Sequence, residues 1–179
     1  MTNKKLLIVV DMQNDFIDGA LGTKEAQAIV PKVIEKIVGW DGDIICTMDT
    51  HGVDYMETRE GRFLPIPHCI EDTEGHKINA DIMATLIDKS CEHCSALSTL
   101  TKRTFGSTAL PEIIRGSGVE YVELVGLCTD ICVVSNAMLL KAHYPELDIA
   151  VDSSCCAGVT PETHEAALTV MRTCQIEVK

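Results

Sequence analysis

Short runs of Val, Ile and Leu recur along this chain, and each is separated from the next by a segment with helical spacing. "KLLIVVD", "GDIICTMD", "TLTKRT", "YVELVGLC", "DIAVDSSCC" and "CQIEVK" read as six strands in chain order. Between them, "AQAIVPKVIEKIVGW" repeats Ile29, Val33, Ile37 and Trp40 at the period of a helix, with Pro31 expected in its first turn. "NADIMATLIDKS", with Asn79 as cap, "ALPEIIRGSG", "TDICVVSNAMLLKAHY", with Thr129 as N-cap, and "TPETHEAALTVMRT" read as four more helices. Strands apolar on both faces, joined by helices, have one good solution: repeated βαβ units. The expected fold is a three-layer α/β/α arrangement around a mostly parallel, six-stranded, doubly wound sheet. At 179 residues with no linker or repeat, the chain is expected to form a single domain over residues 1–179.

A doubly wound sheet collects its ligands outside the carboxyl ends of its strands. Four strands deliver ionisable groups to that rim. Asp11 follows "LLIVV", Asp49 and His51 follow "IICTM", Lys102 ends the third strand, and Cys132 lies in the turn after "VELVGLC". With Thr129 as N-cap, Cys132 falls at the third helical position, where the helix dipole and a nearby Lys102 would lower its thiol pKa. Asp11 could then accept the thiol proton and later pass it to a leaving group. The turn "GLCTD" could offer backbone N–H groups to an oxyanion.

The stretch from Asp49 to Cys69, "DTHGVDYMETREGRFLPIPHC", has little helical or strand character and carries histidines at both ends. Asp49, His51 and His68 offer one carboxylate and two imidazoles, a set suited to Zn²⁺, Fe²⁺ or Mn²⁺ with positions left open. A metal would also tie the loop at both ends; the alternative is that the two imidazoles cap loop carbonyls.

The nine cysteines are an odd number with no secretory signal, so most are expected to be small buried apolar residues rather than disulfide partners. Cys155 and Cys156, at a strand end, are expected to be structural. "CEHC", Cys91 to Cys94, is one pair without a second at zinc-site spacing, and a weak signal. The net charge of −12, with no basic run longer than two, argues against nucleic acid as a partner. The apolar run of "MTNKKLLIVVDMQ" is too short for a signal core or a membrane span, so a cytoplasmic protein with no membrane partner is expected. No dinucleotide or P-loop motif is present.

These motifs resemble the isochorismatase-like cysteine hydrolases, in particular their nicotinamidase-related branch. "LLIVVDMQNDF" is similar to the family's opening strand, "KRTFGS" to its lysine segment, "GLCTDICV" to its nucleophile turn, and "DTH" followed by "PHC" to its metal loop. The resemblance spans most of the chain. It implies Asp11 as general acid/base, Lys102 as the cation orienting the thiolate, and Cys132 as nucleophile. It implies a divalent metal on Asp49, His51 and His68, with zinc ahead of manganese or iron. It also implies a cis peptide between Leu127 and Cys128, an oxyanion hole from the N–H groups of Cys128 and Cys132, and Phe16 as an aromatic wall for substrate. Nicotinamidases usually carry a tryptophan just before the proline and histidine of the metal loop; here Pro65 stands near that place, and the only tryptophan is Trp40. True isochorismatases lack the nucleophilic cysteine. The expected activity is hydrolysis of a small primary amide, nicotinamide first, by a homo-oligomer. The alternatives are a carbamoyl or ureide hydrolase of the same family, whose substrate carries a carboxylate and no ring, and a non-enzymatic metal or redox module.

Overall fold

A computed structural model describes residues 4–93 and 98–179. In chain order the elements are β1 (Lys4–Val10), α1 (Asn14–Ile17), α2 (Lys24–Gly39), β2 (Asp43–Asp49), α3 (Arg59–Phe63), α4 (Ala80–His93), β3 (Ser98–Lys102), α5 (Leu110–Ile114), β4 (Val119–Leu127), a π-helical turn (Thr129–Val133), α6 (Val134–His143), β5 (Asp148–Ala157), α7 (Pro161–Thr173) and β6 (Glu177–Val178). The six strands form one sheet in the order β3-β2-β1-β4-β5-β6, and every neighbouring pair is parallel. The mostly parallel sheet expected from the sequence is thus wholly parallel.

The two faces can be read off β1. Leu7 and Val9 point into a core shared with Phe16, Ile29, Val33, Ile37 and Ile82, beneath α1, α2 and α4. Leu6, Ile8 and Val10 point into the other, shared with Ile114, Val133, Leu140 and Leu168, beneath α5, α6 and α7. The period of two along a strand sends alternate residues to opposite cores, so a continuous apolar run is needed where both faces are covered. Fully burying one such side chain is worth about 2 kcal/mol.

Helix starts follow local chemistry. The Thr23 hydroxyl accepts from the Ala26 amide at 3.0 Å to open α2, and Thr160 and Thr163 form a reciprocal capping box on α7. Asn79 caps α4, accepting from Asp81 and Ile82. Pro31 departs from expectation: it lies inside α2, not in its first turn. It lies on the exposed face, while Ile29, Val33 and Ile37 hold the helix on the sheet. Trp40 closes α2, and its indole N–H donates to the Asp43 carbonyl at 3.2 Å. The stretch after Asp49 is less irregular than its sequence suggests. It holds a 3₁₀ turn at Tyr55–Glu57 and then α3, whose first turn is capped by Thr58.

Below the apolar layer, one ionic cluster joins α2, β4, β5 and the last residue. Lys36 Nζ lies 2.7 Å from Glu123 Oε1 and 2.6 Å from Asp152 Oδ2, and Lys179 Nζ lies 3.1 Å from Glu123 Oε2. Burial opposes the Glu123 charge, but hydrogen bonds from Lys36, Tyr121 and Lys179 outweigh it and hold the pKa below the ordinary value of 4.5. A carboxylate depressed in the folded state stabilises the fold above its unfolded pKa, and this contribution is lost as pH falls. Glu123→Ala is therefore expected to cost about 2 kcal/mol at neutral pH, since its cations are half-exposed and can rehydrate. In urea titrations, the gap from wild type should narrow as pH drops below 4.5.

Candidate active site

The parallel register assembles the site. Val10 pairs with Thr47 on one side and Gly126 on the other, and Asp49 pairs with Lys102. The residues that follow Val10 and Leu127 therefore emerge beside Asp49 and Lys102 at the carboxyl edge. Gly126 is required here. Its φ is +114°, and a Cβ on it would lie 2.1 Å from the Val10 carbonyl oxygen. Asp11 itself sits at φ +48°, the left-handed region, which turns its side chain back over the sheet edge.

Asp11, Lys102 and Cys132 converge. Lys102 Nζ lies 2.7 Å from Asp11 Oδ2, 3.5 Å from Cys132 Sγ and 3.4 Å from Asp49 Oδ1. The Thr47 hydroxyl donates to Asp11 Oδ1 at 2.6 Å. All are buried, with Asp11 and Thr47 fully inaccessible. Burial is the largest influence on each ionisable group. It raises the Asp11 pKa above that of a free aspartate, with Lys102 offsetting part of the rise. Burial opposes the Lys102 charge, but Asp11, Cys132 and Asp49 more than compensate and hold it as an ammonium. For Cys132, burial and then the Asp11 carboxylate push the thiol well above its ordinary value, against the pull of Lys102. The sequence predicts a thiol acidified by the helix start and Lys102; burial and the Asp11 carboxylate push it the other way. Desolvation, invisible in the sequence, outweighs one ammonium.

The nucleophile turn also differs from its sequence reading. Thr129–Val133 is a π-helical turn, whose first-residue cap is Cys128, and not an α-helical first turn capped by Thr129. The Thr129 hydroxyl instead meets His164 Nδ1 at 2.8 Å. The wider turn lets the Val133 amide reach back to the Cys128 carbonyl at 3.0 Å. The Leu127–Cys128 peptide is cis, as the resemblance implied. Cys132 and Cys128 both line a pocket of about 900 Å³, together with Phe16, His51, Glu60 and His68. Phe16 stacks obliquely on His68, with ring centroids 5.5 Å apart.

Asp49, His51 and His68 also converge, and Glu60 of α3 joins them as a fourth ligand candidate. Asp49 Oδ2 lies 2.9 Å from His51 Nε2 and 3.6 Å from His68 Nε2; Glu60 Oε1 lies 3.6 and 3.7 Å from the same two nitrogens. Ligand atoms about 2.05 Å from a tetrahedral zinc are about 3.3 Å apart; the His–carboxylate separations here lie near that, and all four ligand atoms lie within 4.8 Å of one another. The ring of His68 is set by its Nδ1, which lies 2.9 Å from the Ile66 carbonyl and leaves Nε2 facing the cluster. Two carboxylates and two imidazoles fit a divalent cation in charge as well as in size. Glu60 had no motif to announce it. Its one local signal is Thr58 two residues earlier, which caps the short helix that aims it.

The loop is held by protein bonds too. The Gln13 carboxamide accepts from the Asp49 amide at 2.7 Å and donates to the carbonyls of Asp49 and His76 at 2.8 and 2.7 Å. Asp15 Oδ2 accepts from the Cys69 amide at 2.7 Å, next to His68. "DMQND" thus carries Asp11 and, in the next four residues, the clamps of the metal loop. Sequence reasoning missed Gln13 and Asp15, because a polar residue after a strand has no distinctive pattern. Of the remaining cysteines, Cys155 and Cys156 are buried in β5, Cys91 is exposed in α4, and Cys94 lies outside the described residues.

Known proteins resemble this chain in sequence and fold. Residues 5–178 match the Isochorismatase domain family. The chain is 28% identical over 183 residues to the nicotinamidase/pyrazinamidase of Mycobacterium tuberculosis, which covers 97% of both chains. The crystal structure of nicotinamidase/pyrazinamidase from Bacillus subtilis superposes with a TM-score of 0.83 at 29% identity, over 98% of each chain. That of the pyrazinamidase of Pyrococcus horikoshii in complex with zinc gives 0.79 at 29% identity, again over 98% of each. A parallel sheet in this order, a buried Asp-Lys-Cys convergence and a match along nearly the whole chain lead to one conclusion: the protein belongs to the isochorismatase domain family, on its nicotinamidase branch.

Proposed function

We propose that the protein is a nicotinamidase-like cysteine amidase, with its 179 residues acting as one catalytic domain. The observation that carries this reading is the single Lys102 ammonium touching Asp11, Cys132 and Asp49 at a pocket that Cys132 and the metal-ligand candidates both line. Asp11 takes the Cys132 thiol proton as the sulfur attacks the amide carbonyl and the C–S bond forms. The backbone N–H groups of Cys128 and Cys132 receive the oxyanion. Asp11 then gives its proton to the departing nitrogen, the C–N bond breaks, and ammonia leaves a thioester on Cys132. Asp11 deprotonates a water, which attacks the thioester carbon. The C–S bond breaks, the acid departs, and the sulfur regains a proton from Asp11. Lys102 stays charged throughout, orienting both partners.

Asp49, His51, Glu60 and His68 are proposed to hold a divalent ion, zinc first. Bound there, it would supply a Lewis-acid centre for a substrate ring nitrogen or for water. Nicotinamide is the first substrate proposed. Trp40 is buried at the end of α2, against the start of β2, and so lies at the opposite end of the strands from the site. Phe16, Phe63 and Phe105 are the aromatic side chains that line the pocket. A carbamoyl or ureide substrate is the second reading, favoured by Pro65 where nicotinamidases usually carry tryptophan. Hydrolysis of such a substrate releases carbon dioxide as well as ammonia, which nicotinamide cannot.

Cys132→Ala is expected to abolish ammonia release from nicotinamide while metal content stays at the wild-type level. Full activity in that variant would remove Cys132 as nucleophile. Metal analysis after dialysis should show His51→Ala and Glu60→Ala each losing at least about tenfold in affinity, and Cys91→Ala losing none. Thiol-linked metal, lost with Cys91 and kept without His51, would instead favour the metal or redox module. Asp11 must be a carboxylate to act as base, and burial raises its pKa. The acid limb of the kcat/KM profile should therefore fall above the ordinary aspartate value of 3.8, with activity lost as pH drops through it.

A further inference from the structure

The turn that carries Cys132 has no side-chain cap of its own. Cys128, at its start, makes no capping hydrogen bond. Something outside the turn must fix the direction of the sulfur and of the amides of Cys128 and Cys132. Two side chains between them, Thr129 and Asp130, point away from the pocket chemistry and toward one neighbouring segment, residues 158–164. Thr129 is fully buried, so its hydroxyl needs a partner, and the partner is His164 Nδ1 at 2.8 Å. Both carboxylate oxygens of Asp130 accept from the Val159 amide at 3.1 Å. The segment is itself tightly built. A Cβ on Gly158 would lie 2.9 to 3.0 Å from the Cβ, Cα and N of His164, so the loop rests directly on the first turn of α7. The capping box of Thr160 and Thr163 fixes that turn. The other side of the nucleophile is tied separately. The Asn136 carboxamide donates to the Cys132 carbonyl at 2.8 Å and accepts from the Ser107 amide at 2.8 Å.

We propose that His164 is a positioning residue for the amidase reaction. Through its hydrogen bond to Thr129 it holds the π-helical turn against α7, so that Cys132 Sγ stays beside Lys102 and Asp11 and the amides of Cys128 and Cys132 aim at one point. His164 does not itself line the pocket; its ring acts through Thr129, while its Cβ and backbone, which an alanine keeps, bear the Gly158 loop. It is partly exposed, so its replacement leaves both cores intact. A displacement of the turn by a fraction of an ångström would act on the transition state more than on substrate binding.

This inference rests on the amidase reading, and the test uses two readouts so that the two can fail separately. The first is ammonia release from nicotinamide. The second is the rate at which iodoacetamide alkylates Cys132, followed by peptide mass spectrometry, which needs no substrate. His164→Ala is expected to lower kcat about 30-fold with KM within about twofold of wild type, and to slow Cys132 alkylation severalfold. His164→Asn, whose amide can meet the Thr129 hydroxyl near the place of Nδ1, should recover most of both. Thr129→Val removes the same bond from its other end and should match His164→Ala, with the double variant no worse than either single one. Wild-type kcat and alkylation in His164→Ala would overturn the proposal. So would equal impairment in the Ala and Asn variants, or losses that multiply in the double variant. If wild type releases no ammonia, the amidase reading fails, and the alkylation series alone decides whether His164 positions the sulfur.

Discussion

One buried ammonium holds the functional end of this molecule together. Lys102 Nζ touches two carboxylates and a sulfur that come from three different segments of chain. Without a cation there, Asp11 and Asp49 would face each other as two buried negative charges, a cost of several kcal/mol that folding could not absorb. With it, the carboxylate of Asp49 is divided: Oδ1 toward Lys102, Oδ2 toward His51 and His68. Asp49 is thereby both the edge of the Asp-Lys-Cys group and the first member of the metal-ligand set. The proposed catalytic centre and the proposed metal centre are one electrostatic unit.

That unit explains why so much of the chain is committed to small adjustments at the sheet edge. Gly126 allows β4 to approach β1 closely, and Asp11 takes a left-handed conformation. Gln13 grips both backbone groups of Asp49. The nucleophile turn widens to a π-helix. The left-handed Asp11 and the widened turn cost free energy locally, and both sit at Lys102's partners. The apolar strands behind them form the rigid frame that bears this cost.

The same burial changes the chemical character expected of the sulfur. A thiol in water beside an ammonium is acidified; here desolvation and a neighbouring carboxylate push the other way. A thiol whose pKa is raised calls for a base to activate it, and Asp11, itself raised by burial, meets the same Lys102 ammonium as the sulfur. The proposed proton transfers thus run between two groups whose proton affinities burial raises together.

The amino-acid sequence by itself determined the strands, the helices between them, the edge of the sheet where function would lie, and six of the residues that meet there: Asp11, Asp49, His51, His68, Lys102 and Cys132. These were legible because strand and helix periodicity are local, and because the carboxyl end of a parallel strand is where a polar group can leave the core. Only the tertiary structure decided that Glu60 joins the ligand set, that Gln13 and Asp15 clamp the loop, that Pro31 lies within α2, that Thr129 binds His164 rather than capping a helix, and that the Cys132 thiol is raised rather than lowered. Each of these depends on register and burial. Both are sums over groups distant in the chain, and no short stretch of residues encodes them.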